Sequence, residues 1–126
     1  MKILICDDDI RKADIIKDCV LEVYPEAEIK IVSYAEATIL SLAEEDFDYL
    51  IQDMFLPINL DSGISNKGGI FVLEKINLEE INIKHCICSS DSVSYNYMKE
   101  SGYGNVPFID FSSSYFREDL REFLGE

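Results

Sequence analysis

Five short apolar runs alternate with five stretches of helical periodicity, and this alternation constrains the fold more than any other feature. The runs lie at 2–6, 28–33, 47–52, 83–89 and 106–111. Runs of this length that are rich in Ile, Val, Leu and Phe are typical of buried strands. Because strands that alternate with helices form parallel sheets covered on both faces, we predict an α/β domain with a five-stranded parallel sheet.

Each predicted strand is followed by apolar side chains that recur every three or four residues, which indicates an amphipathic helix. The predicted faces are Ile10, Ala13, Ile15, Ile16, Cys19, Val20 and Val23; Ala35, Ala37, Ile39, Leu40, Leu42 and Ala43; Ile70, Phe71, Leu73 and Ile76; and Phe116, Leu120, Phe123 and Leu124. The fourth helix is weaker, with Asp91 or Ser92 as its cap and Gly102 at its end.

The composition is that of one ordinary globular domain spanning residues 1–126. Hydrophobic residues make up 48% of the chain and charged residues 29%, a balance unlike that of disordered proteins. No apolar stretch approaches the ~18 residues that a membrane span requires, and the N-terminus resembles no secretion signal. We therefore expect a cytoplasmic protein that does not bind membranes.

Charge and cysteine usage argue against a nucleic-acid-binding protein and against a protein built around a zinc site or disulfides. The net charge of −14 argues against nucleic-acid binding, which requires Lys and Arg on the phosphates. The four cysteines contain no Cys-x-x-Cys pair, and the single histidine, His85, has no partner suited to zinc. We predict that the cysteines are reduced thiols buried as small apolar groups.

Carboxylates follow two of the predicted strands, at the point where each strand ends. Asp7, Asp8 and Asp9 come directly after the first strand, Asp53 follows the third, and Ser89 ends the fourth. The carboxyl ends of parallel strands meet at one edge of a sheet, so we expect these side chains to converge. Helix capping is the competing interpretation for the three adjacent acids, although one Asp would satisfy it.

The chemistry of this cluster favours a hard divalent cation, most simply Mg²⁺, which prefers carboxylate and carbonyl oxygens. A nucleotide or flavin phosphate would require a Gly-rich turn after the first strand, and none is present. A metal-neutralised Asp53 can attack phosphorus and form an aspartyl-phosphate, and Ser89 can donate its hydroxyl to a phosphoryl oxygen. The alternatives are a turn residue for Asp53 and a cap for Ser89.

Two segments, Lys2-Ile3-Leu4-Ile5-Cys6-Asp7-Asp8-Asp9 and Asp53-Met54-Phe55-Leu56-Pro57, resemble the receiver domain of two-component response regulators. The resemblance implies a flavodoxin-like, doubly wound (βα)5 sandwich with strand order 2-1-3-4-5. It implies that Mg²⁺ is held by Asp7, Asp8, Asp53 and the backbone carbonyl of Phe55. It further makes Asp53 the phospho-acceptor, Ser89 the switch hydroxyl and Phe108 the candidate aromatic that couples to Ser89.

The function implied by the resemblance is that of a stand-alone receiver, which is not an enzyme beyond its self-catalysed phosphorylation and dephosphorylation. Asp53 would take a phosphoryl group from a histidine kinase or phosphotransfer protein, and the phosphorylated surface would signal to a downstream protein partner. The alternative is a degenerate receiver that acts as a phosphorylation-independent docking module.

Two departures from the receiver pattern favour that alternative. Receivers usually carry a lysine at the end of the fifth strand that reaches the phosphoryl group, and no lysine occurs here after Lys99. The segment 58–67 is also longer than the usual loop. Its apolar residues Ile58, Leu60 and Ile64 are compatible with packing over the acidic pocket, with a homodimer contact, or with an ordinary exposed loop.

Overall fold

A computed structural model describes residues 1–63, 67–90 and 92–125 of the chain. Strands and α-helices alternate along it as β1 Lys2–Cys6, α1 Ile10–Val23, β2 Glu28–Val32, α2 Ala35–Glu44, β3 Tyr49–Gln52, α3 Lys67–Leu78, β4 Lys84–Ser89, α4 Ser92–Met98, β5 Phe108–Asp110 and α5 Phe116–Gly125. A π-helical turn, Lys99–Tyr103, follows α4 directly. The predicted strand ends agree with these bounds to within two residues.

The strands form one parallel sheet in the order β2-β1-β3-β4-β5, which confirms the predicted fold. Helices α1 and α5 pack on one face through a core that includes Ile16, Leu120 and Ile51. Helices α2, α3 and α4 cover the other face in two clusters. Covering both faces buries all of β3 and every residue of β1 after Lys2, as their continuous apolar sequences require.

The apolar face of α5 is as predicted, whereas that of α2 is wrong in part. All four predicted residues of α5 are buried. On α2 the buried residues are Ala35, Thr38 and Ser41, and Leu40 is 58% exposed. The small hydroxyl residues allow this helix to approach the sheet, and Thr38 satisfies its hydroxyl by donating to the Tyr34 carbonyl at 3.3 Å.

A close approach of α3 to the segment after β3 holds the residues that follow Asp53 in place. A Cβ atom on Gly68 would lie 2.1 Å from the carbonyl oxygen of Leu56, and one on Gly69 would lie 2.6 Å from the sulfur of Met54. The amide of Gly69 also donates to the Met54 carbonyl at 3.1 Å. Glycine at both positions is therefore a steric requirement of this packing.

The start of the long loop is attached to α2. The amides of Ala35 and Glu36 donate to the carbonyls of Pro57 and Ile58 at 3.0 and 2.9 Å, which satisfies two donors at the N-terminus of α2. Leu60 is 79% exposed, so it does not cover the acidic pocket. The prediction for Ile64 lies outside the described residues.

Helix α4 ends at Met98, before the predicted end at Gly102, and the π-helical turn continues the chain to Tyr103. Gly102 has a φ of +93°, a left-handed conformation that favours glycine and is typical of helix ends. The predicted cap Asp91 is outside the described residues. No helix in the described ranges combines the length and apolar character needed to cross a bilayer.

Candidate functional site

The carboxyl ends of β1 and β3 bring three of the predicted acids together. The amide of Asp53 donates to the carbonyl of Cys6 at 2.9 Å, so the residues after the two strands are held side by side. One carboxylate oxygen from each of Asp7, Asp8 and Asp53 lies within 4.8 Å of the others. The structure thus places three negatively charged groups in one small volume at this edge of the sheet.

Asp7 is the most deeply buried of the three acids, at 3% exposure. The pKa of Asp7 is raised to about 6, chiefly by burial and in part by the nearby Asp53, although Lys12 opposes the increase. Burial also raises the pKa of Asp8, with Asp53 and Asp9 adding to the effect. Both increases arise mainly because burial disfavours the charged carboxylate, and repulsion between the neighbouring acids adds to it.

Asp9 does not belong to the cluster, because its side chain caps α1. Its Oδ1 accepts hydrogen bonds from the amides of Arg11 and Lys12 at 3.0 and 3.3 Å. Its own amide donates to Oδ1 of Asp7 at 2.9 Å, which orients that carboxylate. Capping therefore explains one of the three adjacent acids, and the other two point to a different role.

Lys12 lies within the candidate site, although the sequence patterns did not point to it. Its ammonium nitrogen lies 3.0 Å from Oδ2 of Asp7 and 3.2 Å from Oδ1 of Asp53. It also donates to the backbone carbonyl of Cys88 at 2.7 Å. Burial lowers the pKa of Lys12, but Asp53 and Asp7 outweigh this effect, and the net pKa is raised. The site therefore contains a charged ammonium among its carboxylates.

The donor set fits a hard cation such as Mg²⁺. Oδ2 of Asp7 is buried and has no hydrogen bond of acceptable geometry within the described residues, although the Lys12 ammonium is 3.0 Å away. Such an oxygen is under-satisfied in a buried site and is suited to a metal ion. One ammonium cannot neutralise three carboxylates, so the remaining charge also favours a divalent cation.

The other predicted site residues are Ser89 at the end of β4, Phe55 after β3 and Phe108 at the start of β5. Ser89 is buried at 2% exposure and ends β4, directly after the Cys88 carbonyl that binds Lys12. Phe55 is half-buried, two residues after Asp53, and the part of its carbonyl in metal binding stays a prediction. Phe108 on β5 packs edge-on against Tyr95 of α4, with ring centroids 5.1 Å apart.

The four cysteines are free and buried, as predicted. Burial raises the pKa of Cys6 and of Cys88 to about 12 in each case. Such thiols stay protonated at neutral pH and are poor nucleophiles and metal ligands. The thiols of Cys6 and Cys88 are therefore not candidate nucleophiles or metal ligands at this edge of the sheet.

Comparison of the sequence with protein-family models and with curated proteins finds no match in either. Solved structures do match. The chemotaxis response regulator CheY4 of Vibrio cholerae superposes with a TM-score of 0.72 and 13% identity, over 98% of this chain and 95% of that one.

Two receiver domains give similar values. A CheY-like receiver from Methanospirillum hungatei JF-1 has a TM-score of 0.71 and 23% identity, over 98% of this chain and 90% of that one. The receiver of a putative LuxO repressor from Vibrio parahaemolyticus has a TM-score of 0.74 and 19% identity, over 98% and 86%. This chain has the fold of response regulator receiver domains.

Proposed function

We propose that this chain is a receiver domain that accepts a phosphoryl group on Asp53 in a Mg²⁺-dependent step and signals to a protein partner. The observation that carries the proposal is the grouping of Asp7, Asp8 and Asp53 with a buried lysine at the carboxyl edge of the sheet. The carboxylates at this edge can bind a metal ion, and the lysine ammonium can bind a phosphoryl group. The domain acts as a phosphoryl acceptor and not as a turnover enzyme.

Asp53 is the nucleophile in the proposed reaction. Its Oδ1 is held by the Met54 amide at 2.8 Å and by Lys12 at 3.2 Å, which fixes the orientation of the carboxylate. A carboxylate oxygen attacks the phosphorus of the donor and forms a new O–P bond. The bond from phosphorus to the donor atom breaks, and the leaving group keeps its electron pair. That donor is the imidazole nitrogen of a phosphohistidine or the oxygen of an acyl phosphate.

The residues that would hold Mg²⁺ are Asp7, Asp8, Asp53 and the carbonyl of Phe55. When bound, the ion neutralises charge on the carboxylates and on the transferring phosphoryl group. Asp7 is oriented for this role by the Asp9 amide, 2.9 Å from its Oδ1. The protein thereby keeps the metal-facing carboxylates in place before the donor arrives.

Phosphorylation replaces the single charge of the Asp53 carboxylate with a phosphoryl group that carries roughly two negative charges. Ser89 then donates its hydroxyl to a phosphoryl oxygen, and the segment after it moves with it. Phe108, whose neighbour in register on β4 is Ile87, and its ring contact Tyr95 carry this change to the surface of α4, β5 and α5. A partner protein binds that surface according to the phosphorylation state.

The test is incubation with Mg²⁺ and acetyl phosphate, followed by intact-protein mass spectrometry. The wild type is expected to gain the mass of one phosphoryl group, and Asp53→Asn is expected to gain none. Asp61→Asn is the matched control, since it makes the same chemical change at an exposed acid and should be phosphorylated normally. An unmodified wild type, or equal modification of Asp53→Asn, would contradict the proposal.

The alternative function, docking without phosphorylation, is supported by the long segment 58–67 and by the absence of a lysine at the end of the fifth strand. Lys12 weakens the argument from the missing lysine, because it brings an ammonium to Asp53 from α1. Capture of the same partner with equal affinity by the wild type and by Asp53→Asn would favour the docking alternative. Capture that depends on phosphorylation would exclude it.

A further inference from the structure

Lys12 is a buried cation whose side chain reaches the ends of three strands. It is 7% exposed, although lysine is seldom buried without a partner. Its ammonium contacts Asp7 after β1, Asp53 after β3 and the Cys88 carbonyl in β4. The hydrogen bond to the Cys88 carbonyl and the ion pairs with the two carboxylates hold the ammonium beside the proposed nucleophile.

The position directly after β5 is occupied by Phe111, where the resemblance to receivers implies a lysine. The Phe111 amide donates to the Ser89 carbonyl at 3.0 Å, which ties this residue to the end of β4. The Lys12 ammonium lies 5.4 Å from the centroid of the Phe111 ring, within the range of a cation–π contact. The aromatic residue thus packs against a lysine that α1 contributes.

The geometry points to Lys12 as the phosphoryl-binding cation of this domain, in place of a lysine at the end of β5. This inference rests on the proposed function. A phosphoryl group on Asp53 places roughly two negative charges close to an ammonium that is already 3.2 Å from Oδ1. The four-carbon side chain is flexible, so it can exchange a present contact for a phosphoryl oxygen while α1 stays in place.

Contact with the phosphoryl group strengthens as charge develops on the transferring oxygens, and such contacts accelerate transfer. The hydrogen bond from the Lys12 ammonium to a phosphoryl oxygen is also charge-assisted, because its donor and its acceptor are both charged. The Phe111 ring limits the access of water to the ammonium, which increases its electrostatic effect. Lys12 therefore both speeds phosphorylation and holds the product, and it links α1 to the state of Asp53.

A purely structural role for Lys12 predicts a different result. If Lys12 only neutralised buried carboxylates, a neutral variant would lose stability, but the folded fraction would accept phosphate at the normal rate. A lysine placed at position 111 would then have no effect on that rate. The two roles are separated by measuring phosphorylation of folded protein.

The experiment compares rates of phosphorylation by acetyl phosphate in Mg²⁺ for several variants. Lys12→Met and Lys12→Gln remove the charge, and urea unfolding in Mg²⁺ verifies that each is folded. Loss of a group that stabilises transition-state charge predicts a rate about 100-fold lower. Lys17→Met removes the same charge from an exposed site on α1 and should leave the rate unchanged.

The decisive variant carries Lys12→Met together with Phe111→Lys, which returns a lysine to the end of β5. We expect its rate to recover to within about ten-fold of the wild type, a difference of about 1.4 kcal/mol. If neither neutral variant folds, this double variant alone decides, since it restores the charge.

A folded neutral variant that is phosphorylated at the wild-type rate would overturn the role of Lys12 and leave the proposed function intact. A folded double variant that is phosphorylated no faster than the folded neutral variant would overturn the inference that Lys12 takes the place of a lysine at the end of β5. Failure of the wild type itself to be phosphorylated would instead remove the proposed function and this inference together.

Discussion

The ring of Phe111 lies 5.4 Å from the ammonium nitrogen of Lys12, so an aromatic side chain after the fifth strand packs against a lysine from the first helix. The same ammonium is paired with Asp7 and Asp53. The acidic and basic parts of the site are therefore both present, and they come from β1, β3 and α1. Because Asp8 and Asp9 have different contacts, we expect substitutions of these two acids to have different effects.

Asp8→Asn should stabilise the protein without Mg²⁺ and abolish most of its stabilisation by Mg²⁺. Asp8 is repelled by Asp53 and Asp9 and has no ion pair with Lys12 among the contacts of the described residues. Removing its charge should raise the free energy of unfolding by about 0.2–1 kcal/mol. Wild type at an Mg²⁺ concentration about 100 times Kd should gain about 2.7 kcal/mol.

Urea unfolding with and without Mg²⁺ measures both effects of Asp8→Asn. An Mg²⁺ response equal to that of the wild type would show that Asp8 is not a ligand. A loss of stability in the metal-free variant would show that repulsion does not dominate at this site.

Asp9→Ala should have the opposite pattern to Asp8→Asn. The side chain of Asp9 caps α1 through the amides of Arg11 and Lys12, and loss of such a cap costs about 1 kcal/mol. The same urea titrations should show lower stability with the Mg²⁺ response retained. Loss of the Mg²⁺ response, with Asp9→Asn behaving in the same way, would mean that Asp9 serves the metal.

Gly68→Ala should destabilise the fold, because the added Cβ would lie 2.1 Å from the Leu56 carbonyl oxygen. Backbone must shift to relieve this overlap, and overpacking of this kind costs about 1–3 kcal/mol. Gly63→Ala is the matched control, since an added Cβ there has no atom within 4 Å. Thermal unfolding that gives equal stability for the two variants would contradict the packing described for α3.

The convergence of the acids could be predicted because it depends only on strand order and strand ends. Apolar runs mark where β1 and β3 stop, and the next residues of parallel strands necessarily share an edge. The strand order alone therefore predicts that Asp7 and Asp53 lie close together, and no information on side-chain contacts is needed.

Lys12 could not be identified in the same way, because hydrophobic periodicity treats a lysine as a solvent-facing residue. One signal was available: Lys12 is spaced four and seven residues from Ile16 and Cys19, which are both buried on α1. A lysine on the same helix face as these buried residues, one helical turn from an acidic cluster, indicates a buried ion pair. The burial of Thr38 instead of Leu40 on α2 was missed for a related reason, since it depends on how closely the helix approaches the sheet.

The attachment of the long loop depends on contacts between distant residues. Pro57 and Ile58 accept hydrogen bonds from the amides of Ala35 and Glu36. No local pattern in the sequence predicts that pairing, because backbone carbonyls are present at every residue.

The central claim is that Asp53 accepts the phosphoryl group, and crystals grown with Mg²⁺ and beryllofluoride test it most directly. Beryllofluoride bound to a carboxylate mimics an acyl phosphate. We predict density for it on Asp53, with Mg²⁺ held by Asp7 and Asp8 and with the Lys12 ammonium in contact with a fluorine. An unmodified Asp53 that remains paired with Lys12 under saturating beryllofluoride would contradict the account.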